Sequence, residues 1–335
     1  MAKKITIYDV AREANVSLAT VSRVINGSSV VKPKTRERVL ETIQRLDFKP
    51  NQVARGLATS KTTTIAIVFP QSLFGHVKEM ISGVGDTSRV LDYNVSIYTT
   101  DDVGTGDPIE DVIGKIIESR ADGVVLFNGD QIDQEIALCE KNKIPTVVVG
   151  KRVSNDFMGS IFVDARKIAY EVVDSYLNKG KDDILFVCPR QNLISPSDLV
   201  VGIKDAYNEH GLTFNDKERI FNTSHHYEKS YPQLQEYFKD HHHQLVFTSY
   251  DKEAVAAVNA ALDNGISIPD EMEVIGLMDT SYSIMCRPSL STIHVPIYDM
   301  GALAIRLLTK ILNDEEITTK EVSLNYLFRK RNTTL

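Results

Sequence analysis

The first fifty residues place their apolar side chains at the spacing of α-helices, without the strict alternation that is typical of a strand. Thr6 and Asp9 form a capping-box-like start, and Ser17 is a favoured N-cap for a second short helix. Pro33 suits the first turn of a third helix, whose apolar stripe consists of Val39, Leu40, Ile43 and Leu46. Two short helices joined by a tight turn and covered by a third predict a helix-turn-helix unit.

From residue 64 onward the pattern changes to short, almost wholly apolar runs separated by helical stretches. The runs lie at 64–70, 94–98, 122–127, 145–150, 183–188, 244–248 and 273–277. Apolar strands that alternate with helices predict parallel, doubly wound sheets. The stretch is long for one such sheet, and a break near 152–160 suggests two α/β lobes. Ligands of such folds bind at the carboxyl ends of the strands, in the crevice between the lobes.

Charge is divided unevenly along the chain, although the formal net charge of −7 is that of an ordinary acidic protein. Residues 1–61 hold 12 Lys and Arg against 5 Asp and Glu, a net charge of +7. The remaining residues hold 26 basic and 40 acidic side chains, a net charge of −14. A basic N-terminal unit on an acidic body is the asymmetry expected of a module that binds a polyanion.

The second helix of the basic unit is the element expected to enter the major groove of DNA. Val21 and Val24 point to the core by their spacing. On the opposite face, Arg23 is the best base reader because a guanidinium matches guanine O6 and N7, and Leu18 and Ala19 offer apolar contact to a thymine methyl. Phosphate contacts are expected from nearby polar side chains, namely Thr6, Ser17, Thr20, Ser22 and Asn26. The competing interpretation is a solvated amphipathic bundle, in which Arg23 is a surface charge.

A marginal helix is predicted between the basic unit and the body. Asn51 can cap a helix over 52–58, but this segment is barely two turns long and contains a glycine, so it is too short to be stable alone. Such a helix is a candidate for folding on binding. Alternatively, Leu57 near its end packs against the third helix.

The run 6–27 resembles the N-terminal signature of the lactose-repressor (LacI/GalR) family, and Asn-Gln-Val-Ala-Arg-Gly-Leu-Ala resembles the family's hinge helix. The resemblance implies that bases are read by Leu18, Ala19 and Arg23. It also implies that Leu57 of each of two subunits wedges into the minor groove and kinks the duplex. Ala54 would then lie against the groove, and Arg55 near phosphates.

The same resemblance implies a body of the periplasmic-binding-protein type, in which the chain crosses between two lobes near residues 162, 290 and 322. The predicted fold is therefore an all-α helix-turn-helix head on an α/β body of two doubly wound parallel-sheet lobes. Its parts are a DNA-binding domain (1–50), a hinge helix and linker (51–62), and an effector-binding and dimerisation core (63–335). One lobe of the core comprises about 63–161 and 291–321, and the other comprises about 162–290 and 322–335.

A small-molecule effector would lie in the crevice between the lobes, against Gln71, Leu199, Met278 and Asp279. In sugar-responsive members of the family, an Asp occupies the place of Met278 and an Arg occupies the place of Leu199. Asp279, next to Met278, can partly replace the missing carboxylate. A buried sugar hydroxyl without a partner costs about 1–3 kcal/mol, so the two replacements weigh against a tight sugar site.

The C-terminal helix that begins near Tyr298 offers a different effector site. Arg306 and Lys310 are i, i+4 neighbours, so both side chains leave one face and form a phosphate clamp, unless they are ordinary solvated charges. The segment Pro-x-Tyr-Asp-x-Gly-Ala-x-Ala-x-Arg-Leu-Leu-Thr-Lys resembles family members that control carbon catabolism in Gram-positive bacteria. This resemblance implies that seryl-phosphorylated HPr, a phosphocarrier protein, is the corepressor and is received by Tyr298, Asp299, Arg306 and Lys310.

The sequence contains no recognisable catalytic constellation, cofactor motif or metal-ligand spacing. The pair Gly83 and Gly85 is an incomplete nucleotide-binding fingerprint and favours helix packing. The histidines at 225–226 and 241–243 are expected in solvated loops rather than at a metal. The three cysteines are expected to be small buried thiols in a reducing compartment.

The sequence contains neither a secretory signal nor an apolar run long enough to span a membrane, so a cytoplasmic protein is expected. We predict a homodimeric transcription regulator without a cofactor, which binds double-stranded operator DNA and represses carbon catabolite genes, with activation left open. The alternative within the family is a sugar-responsive repressor. Outside it, the basic head weighs against a free periplasmic-type binding protein, and the lack of a catalytic constellation weighs against a sugar-metabolising enzyme.

Overall fold

The computed structural model divides the chain into an N-terminal helical unit, the head, and an α/β unit, the body, with the division between Thr63 and Thr64. The described residues are 5–25, 28–48, 62–100, 107–127, 132–153, 155–189, 192–224 and 226–335. The residues predicted to form the hinge helix lie outside the described residues, as does Asn26. Three further predicted DNA contacts are thereby left outside as well: Ala54, Arg55 and Leu57.

The head contains the three predicted helices, α1 (Ile7–Glu13), α2 (Leu18–Ile25) and α3 (Pro33–Arg45). They enclose a small core formed by Val10, Ala11, Ala14, Val21, Val24 and Val39.

One position of the predicted apolar stripe on α3 is wrong. Leu40 is 50% exposed, and Thr42 is buried instead. Because a helix turns by about 100° per residue, Leu40 points well away from Val39, whereas Thr42 lies within about 60° of it. The Thr42 hydroxyl donates to the Arg38 carbonyl at 2.8 Å, which satisfies it inside the core.

The body is built on two six-stranded sheets. The strands of the first are β1 (Thr64–Phe69), β2 (Asn94–Thr99), β3 (Gly123–Phe127), β4 (Thr146–Val149), β5 (Met158–Phe162) and β11 (Glu321–Ser323). The strands of the second are β6 (Ile184–Pro189), β7 (Ile220–Thr223), β8 (Leu245–Thr248), β9 (Glu273–Met278), β10 (Ser291–His294) and β12 (Leu327–Arg329). The orders are β11-β5-β4-β3-β1-β2 and β12-β10-β9-β8-β6-β7. All pairs are parallel except the edge pair β10–β12, which agrees with the predicted fold class.

Helices connect most of these strands, as expected for parallel neighbours. A single 3-10 turn, Gln71–Leu73, follows β1. The helices described in the body are α4 (Phe74–Val90), α5 (Pro108–Ser119), α6 (Asp133–Lys141), α7 (Ala165–Leu177), α8 (Pro196–Glu209), α9 (Asp216–Arg219), α10 (Tyr227–Tyr237), α11 (Asp251–Asp263), α12 (Ser281–Met285) and α13 (Ile297–Leu312).

Strand burial explains why the sequence runs are wholly apolar. Every residue of β3, β4, β6, β8 and β9 is buried. Successive residues of β1 enter different apolar clusters: Ile65 and Ile67 lie in one, and Ala66 and Val68 in another. Both faces of the sheet are therefore covered, and no alternation with polar residues is needed.

The chain crosses between the sheets three times, but two crossings lie later than predicted. The strand β10, which was assigned to the first lobe, belongs to the second sheet because Thr292 continues the ladder beside Gly276 of β9. The chain returns to the first lobe at Val295 and Pro296. The end of β11 stays in the first sheet because Val322 pairs with Ile161. In both places a strand completes its pairing before the chain leaves the sheet.

Candidate DNA-binding surface and effector sites

The helix α2 presents one polar face to solvent and one apolar face to the core of the head. Val21 and Val24 are buried, as their spacing predicted. Leu18 is 39% exposed, and Ala19 and Arg23 are exposed as well. The three predicted base readers therefore share the solvent face of α2, the geometry that reading bases in a major groove requires.

Two predicted phosphate ligands are the caps of their helices. The Asp9 carboxylate accepts from the Thr6 backbone N–H at 2.9 Å and from its hydroxyl at 2.7 Å, and these bonds hold the pKa of Asp9 below its usual value. At α2, the Ser17 hydroxyl accepts from the Thr20 N–H at 3.2 Å and lies 2.8 Å from the Thr20 hydroxyl. The caps fix the two helix starts, where exposed N–H groups favour anions. Ser22, the remaining predicted ligand in this region, is half-buried on α2.

The positive charge of the head is only partly neutralised within the described residues. Arg12 pairs with Asp9 at 2.7 Å, and Arg45 pairs with Glu13 at 3.0 Å. Five basic side chains of the described head form no salt bridge with another described residue: Arg23, Lys32, Lys34, Arg36 and Arg38. Cations without a salt bridge on α2 and in the first turns of α3 provide an attractive surface for phosphates.

The crevice residues predicted from the sequence differ in their accessibility. Gln71 is exposed in the 3-10 turn after β1. Leu199, in the first turns of α8, and Met278, at the end of β9, are buried. Neither buried side chain has a strong hydrogen-bonding group to offer a hydroxylated ligand.

The carboxylate of Asp279 is engaged by its own chain. It accepts from the Arg331 guanidinium at 2.7 Å and from the Ser283 hydroxyl at 2.9 Å, and the imidazole of His294 lies at 3.3 Å. Burial raises the pKa of Asp279, but the hydrogen bonds and the charge of Arg331 outweigh burial, so that the pKa lies below its usual value. Asp279 therefore carries a charge that Arg331 already balances.

Two buried acids at the start of α11 were not singled out in the sequence. Asp251 accepts from the Thr280 N–H at 2.5 Å and from the Thr292 hydroxyl at 2.5 Å, and burial raises its pKa to about 7. Glu253 is buried with neither carboxylate oxygen bonded to another described residue, and burial raises its pKa to about 8. Acids in a first helical turn usually interact with the helix dipole at the surface, so the sequence pattern does not indicate that these two are buried.

The four residues predicted to receive a coeffector lie on one face of α13. Tyr298, Asp299, Arg306 and Lys310 are all exposed, whereas the opposite face is buried on the first sheet. The Tyr298 hydroxyl donates to the Asp86 carboxylate of α4 at 3.0 Å, a bond that raises the pKa of Tyr298. Arg306 and Lys310 form no salt bridge with the described part of the chain. The face therefore offers an anchored phenol and two cations without a salt bridge, which lie about 12 Å and about 18 Å farther along the helix.

The helix α13 is held against α4 at two glycines. A Cβ on Gly83 would lie 2.1 Å from the Tyr298 carbonyl oxygen, and one on Gly301 would lie 2.2 Å from the Met80 carbonyl oxygen. These backbones approach too closely for any side chain, which confirms helix packing as the role of Gly83. Gly85 has no such neighbour within 4 Å.

His241 and His243, in the second predicted histidine group, are hydrogen-bonded within the protein. His243 lies between the Tyr237 hydroxyl and the Asp183 carboxylate, each at 2.9 Å. Among the described residues, no three His, Cys, Asp or Glu side chains are grouped as a metal site would need. The described helices include none long and apolar enough to cross a membrane.

Two family models match the chain. The model for bacterial regulatory proteins of the lacI family matches residues 6–51, and the model for a periplasmic binding protein-like domain matches residues 173–334. Catabolite control protein A of Priestia megaterium is 34% identical over 332 residues, which cover 98% of this chain and 99% of the relative. The same protein of Streptococcus mutans is 36% identical over 332 residues, with 98% of each chain covered.

Solved structures share the fold. The lac repressor dimer bound to operator and the anti-inducer ONPF superposes with a TM-score of 0.84 at 21% identity, covering 99% of this chain and 100% of that one. The transcription regulator CcpA of Lactococcus lactis gives a TM-score of 0.70 at 21% identity, covering 81% of this chain and 99% of that one.

Proposed function

The chain belongs to the LacI family of bacterial regulatory proteins, and from this premise we propose that it regulates carbon catabolite genes as a homodimer on a pseudo-palindromic operator. The similarity to catabolite control protein A over nearly the whole chain supports the choice of target genes. The observation that carries DNA binding is the solvent face of α2, where Arg23 is exposed above the buried Val21 and Val24. Under this proposal the protein acts in the cytoplasm, mainly as a repressor, and has no catalytic activity.

Base reading is assigned to Leu18, Ala19 and Arg23. Phosphate contacts are assigned to the polar and basic groups around them, Thr6, Ser17, Thr20, Ser22, Asn26 and Arg55. Ala54 and Leu57 are assigned to the minor groove at the operator centre. Under this assignment residues 1–50 bind DNA, 51–62 form the hinge, and 63–335 bind the effector and the second subunit.

A homodimer is supported by exposed apolar side chains on the body. Ile284 and Met285 are 59% and 70% exposed in the short helix α12, and Tyr282 beside them is also exposed. Large apolar side chains that are grouped at the surface mark interaction sites. Two heads that read two half-sites require such a symmetric partner.

The proposed corepressor is seryl-phosphorylated HPr, bound on the outer face of α13. Arg306 and Lys310 are exposed without a described salt-bridge partner, so they can take a phosphate without breaking an existing ion pair. A fork-shaped guanidinium and a point-charge ammonium together satisfy several phosphate oxygens. Tyr298 and Asp299 then contact the protein surface around the phosphoserine.

DNA binding is tested with the full chain and a variant that lacks residues 1–61. The full chain should bind a duplex that it has itself enriched from a random library, with an affinity that falls steeply as salt rises. The truncated variant should remain a folded dimer without this binding. Operator binding that survives the truncation would refute the assignment of the head.

The corepressor is tested by calorimetry of the full chain with phosphorylated and unphosphorylated HPr, and with a panel of hexoses and hexose phosphates. We expect saturable heat from the phosphoprotein alone, and a loss of at least tenfold in affinity in Arg306→Ala. A sugar that binds in the low-millimolar range, without heat from the phosphoprotein, would favour the sugar-responsive alternative. The burial of Leu199 and Met278 argues against that outcome.

A further inference from the structure

The turn that follows α2 is connected to α3 through an arginine. Arg36 lies in the first turns of α3, and its guanidinium donates to the backbone carbonyl of Ser28. Ser28 in turn donates its backbone N–H to the carbonyl of Arg23 at 2.9 Å. Two consecutive hydrogen bonds therefore lead from the side chain of Arg36 to the backbone of Arg23.

This anchor adds to the limited packing of the turn, in which Val31 lies against the core of the head but its neighbour Val30 does not. Val30, two residues after Ser28, is 78% exposed, and Ser29 is exposed as well. An apolar side chain left in water gives the turn little hydrophobic stabilisation. A charge-assisted hydrogen bond is stronger than a neutral one, and a cation near the C-terminal end of a helix also opposes the negative end of its dipole.

Arg36 differs from the other unpaired cations of the head in its accessibility. Lys34 and Arg38 are exposed, and neither has a described hydrogen bond to the turn. Arg36 is half-buried, and its guanidinium already donates within the protein. A side chain in this setting is less available to a phosphate than its two neighbours are.

We propose that Arg36 is a positioning residue for sequence recognition, which holds the C-terminal end of α2 so that Arg23 presents its guanidinium to a base edge. The proposal rests on the function proposed above, because it assigns Arg23 to base reading. It separates Arg36 from the phosphate-binding cations: loss of Arg36 should reduce discrimination between sequences, whereas loss of a phosphate ligand should weaken binding to every sequence.

The experiment compares Arg36→Met, Arg36→Lys and the matched control Arg38→Met in the full-length protein. Dissociation constants are measured at several salt concentrations for the duplex enriched by the wild type and for a scrambled duplex. In Arg36→Met we expect the ratio of the two constants to fall at least tenfold, while the salt dependence on scrambled DNA is unchanged. Arg36→Lys, which keeps a charged donor, should retain the ratio within about threefold. Arg38→Met should weaken both duplexes alike and lower the salt slope by about one.

Two DNA-binding results would overturn the proposal. One is an Arg36→Met variant that behaves as Arg38→Met is expected to, which would make Arg36 a phosphate ligand. The other is an unchanged discrimination ratio. Thermal unfolding of each variant shows whether the head remains folded, and rescue by Arg36→Lys separates positioning from general destabilisation.

A measurement without DNA distinguishes failure of this proposal from failure of the proposed function. Hydrogen exchange at the Ser28 amide, read by mass spectrometry of the free protein, should be at least tenfold faster in Arg36→Met than in the wild type. Unchanged exchange would refute the anchor even if operator binding is found. If no duplex is enriched by the wild type, the proposed function fails and the recognition role of Arg36 fails with it, while the exchange result still decides whether the anchor exists.

Discussion

Replacing Glu253 with methionine should make the stability of the body less sensitive to pH. Glu253 is buried in the first turn of α11, and neither of its carboxylate oxygens is bonded to another described residue. Burial raises its pKa to about 8; the nearby charges of Lys252 and Asp251 act in opposite directions. Methionine is unbranched and of similar size, so Glu253→Met removes the titrating group without leaving a large cavity.

The size of the effect follows from the two pKa values of Glu253. Between its ordinary value of 4.5 and about 8, the folded protein keeps a proton that the unfolded chain releases. The free energy of unfolding therefore falls as the pH rises, by about 1.4 kcal/mol per pH unit for this group. The stabilisation that this bound proton gives the folded protein is fully present below pH 4.5, and about 3 kcal/mol of it has been lost at pH 7.

The assay is chemical unfolding of the body transition in the full chain, for wild type and variant, at several pH values from 5 to 8.5. The advantage of Glu253→Met over the wild type should grow by about 3–4 kcal/mol across this range, because the variant lacks the linked proton. Asp251 titrates in both proteins, so its own pH dependence cancels in the difference apart from its charge interaction with Glu253. Glu228→Gln, at an exposed position of α10, should show a constant difference near zero. A gap between Glu253→Met and wild type that does not change with pH would refute the reasoning.

Three further outcomes are expected. Gly83→Ala should destabilise the body by about 1–3 kcal/mol in unfolding experiments, because the added Cβ would lie 2.1 Å from a backbone oxygen. Gly85→Ala is the control: the space around Gly85 is open, so this change should be neutral or slightly stabilising. Asp279→Asn should lower the free energy of unfolding by about 2–3 kcal/mol at pH 7, because it leaves the charge of Arg331 unbalanced. In the wild type this stabilisation should disappear as the pH falls through the lowered pKa of Asp279, which lies below its ordinary value of 3.8. Equal stabilities of the two proteins at pH 7 would contradict the prediction. Met285→Lys should shift the protein towards monomer in sedimentation experiments, and an unchanged dimer would exclude α12 from the interface.

Features that depend on neighbours along the chain could be predicted from the sequence. The burial of Val21 and Val24 and the exposure of Arg23 follow from their spacing on one helix. The wholly apolar runs likewise predict strands that are covered on both faces of the sheet. The exposure of Leu40 depends on its angle on α3, which its hydrophobicity does not indicate.

Features that depend on distant partners could not be predicted. The sequence pattern does not show that Arg331 binds Asp279, because the two residues lie 52 positions apart. The late crossing after β10 depends on a pairing with β9 that apolar runs do not specify. Asp251 and Glu253 have the composition of an ordinary helix start, and only the tertiary structure shows that they are buried.

The glycine contacts between α4 and α13 also determine how a force on the outer face is carried. Gly83 and Gly301 each lie against a backbone carbonyl of the opposite helix. The two helices are therefore packed too closely for α13 to bend or slide alone. A protein that binds at Arg306 and displaces α13 would therefore have to move α4 and α13 together as a rigid unit, along with the first sheet beneath them. If the corepressor proposed above binds this face, its effect would be transmitted as a displacement of the whole lobe, since the close backbone contacts oppose a rearrangement confined to the helix.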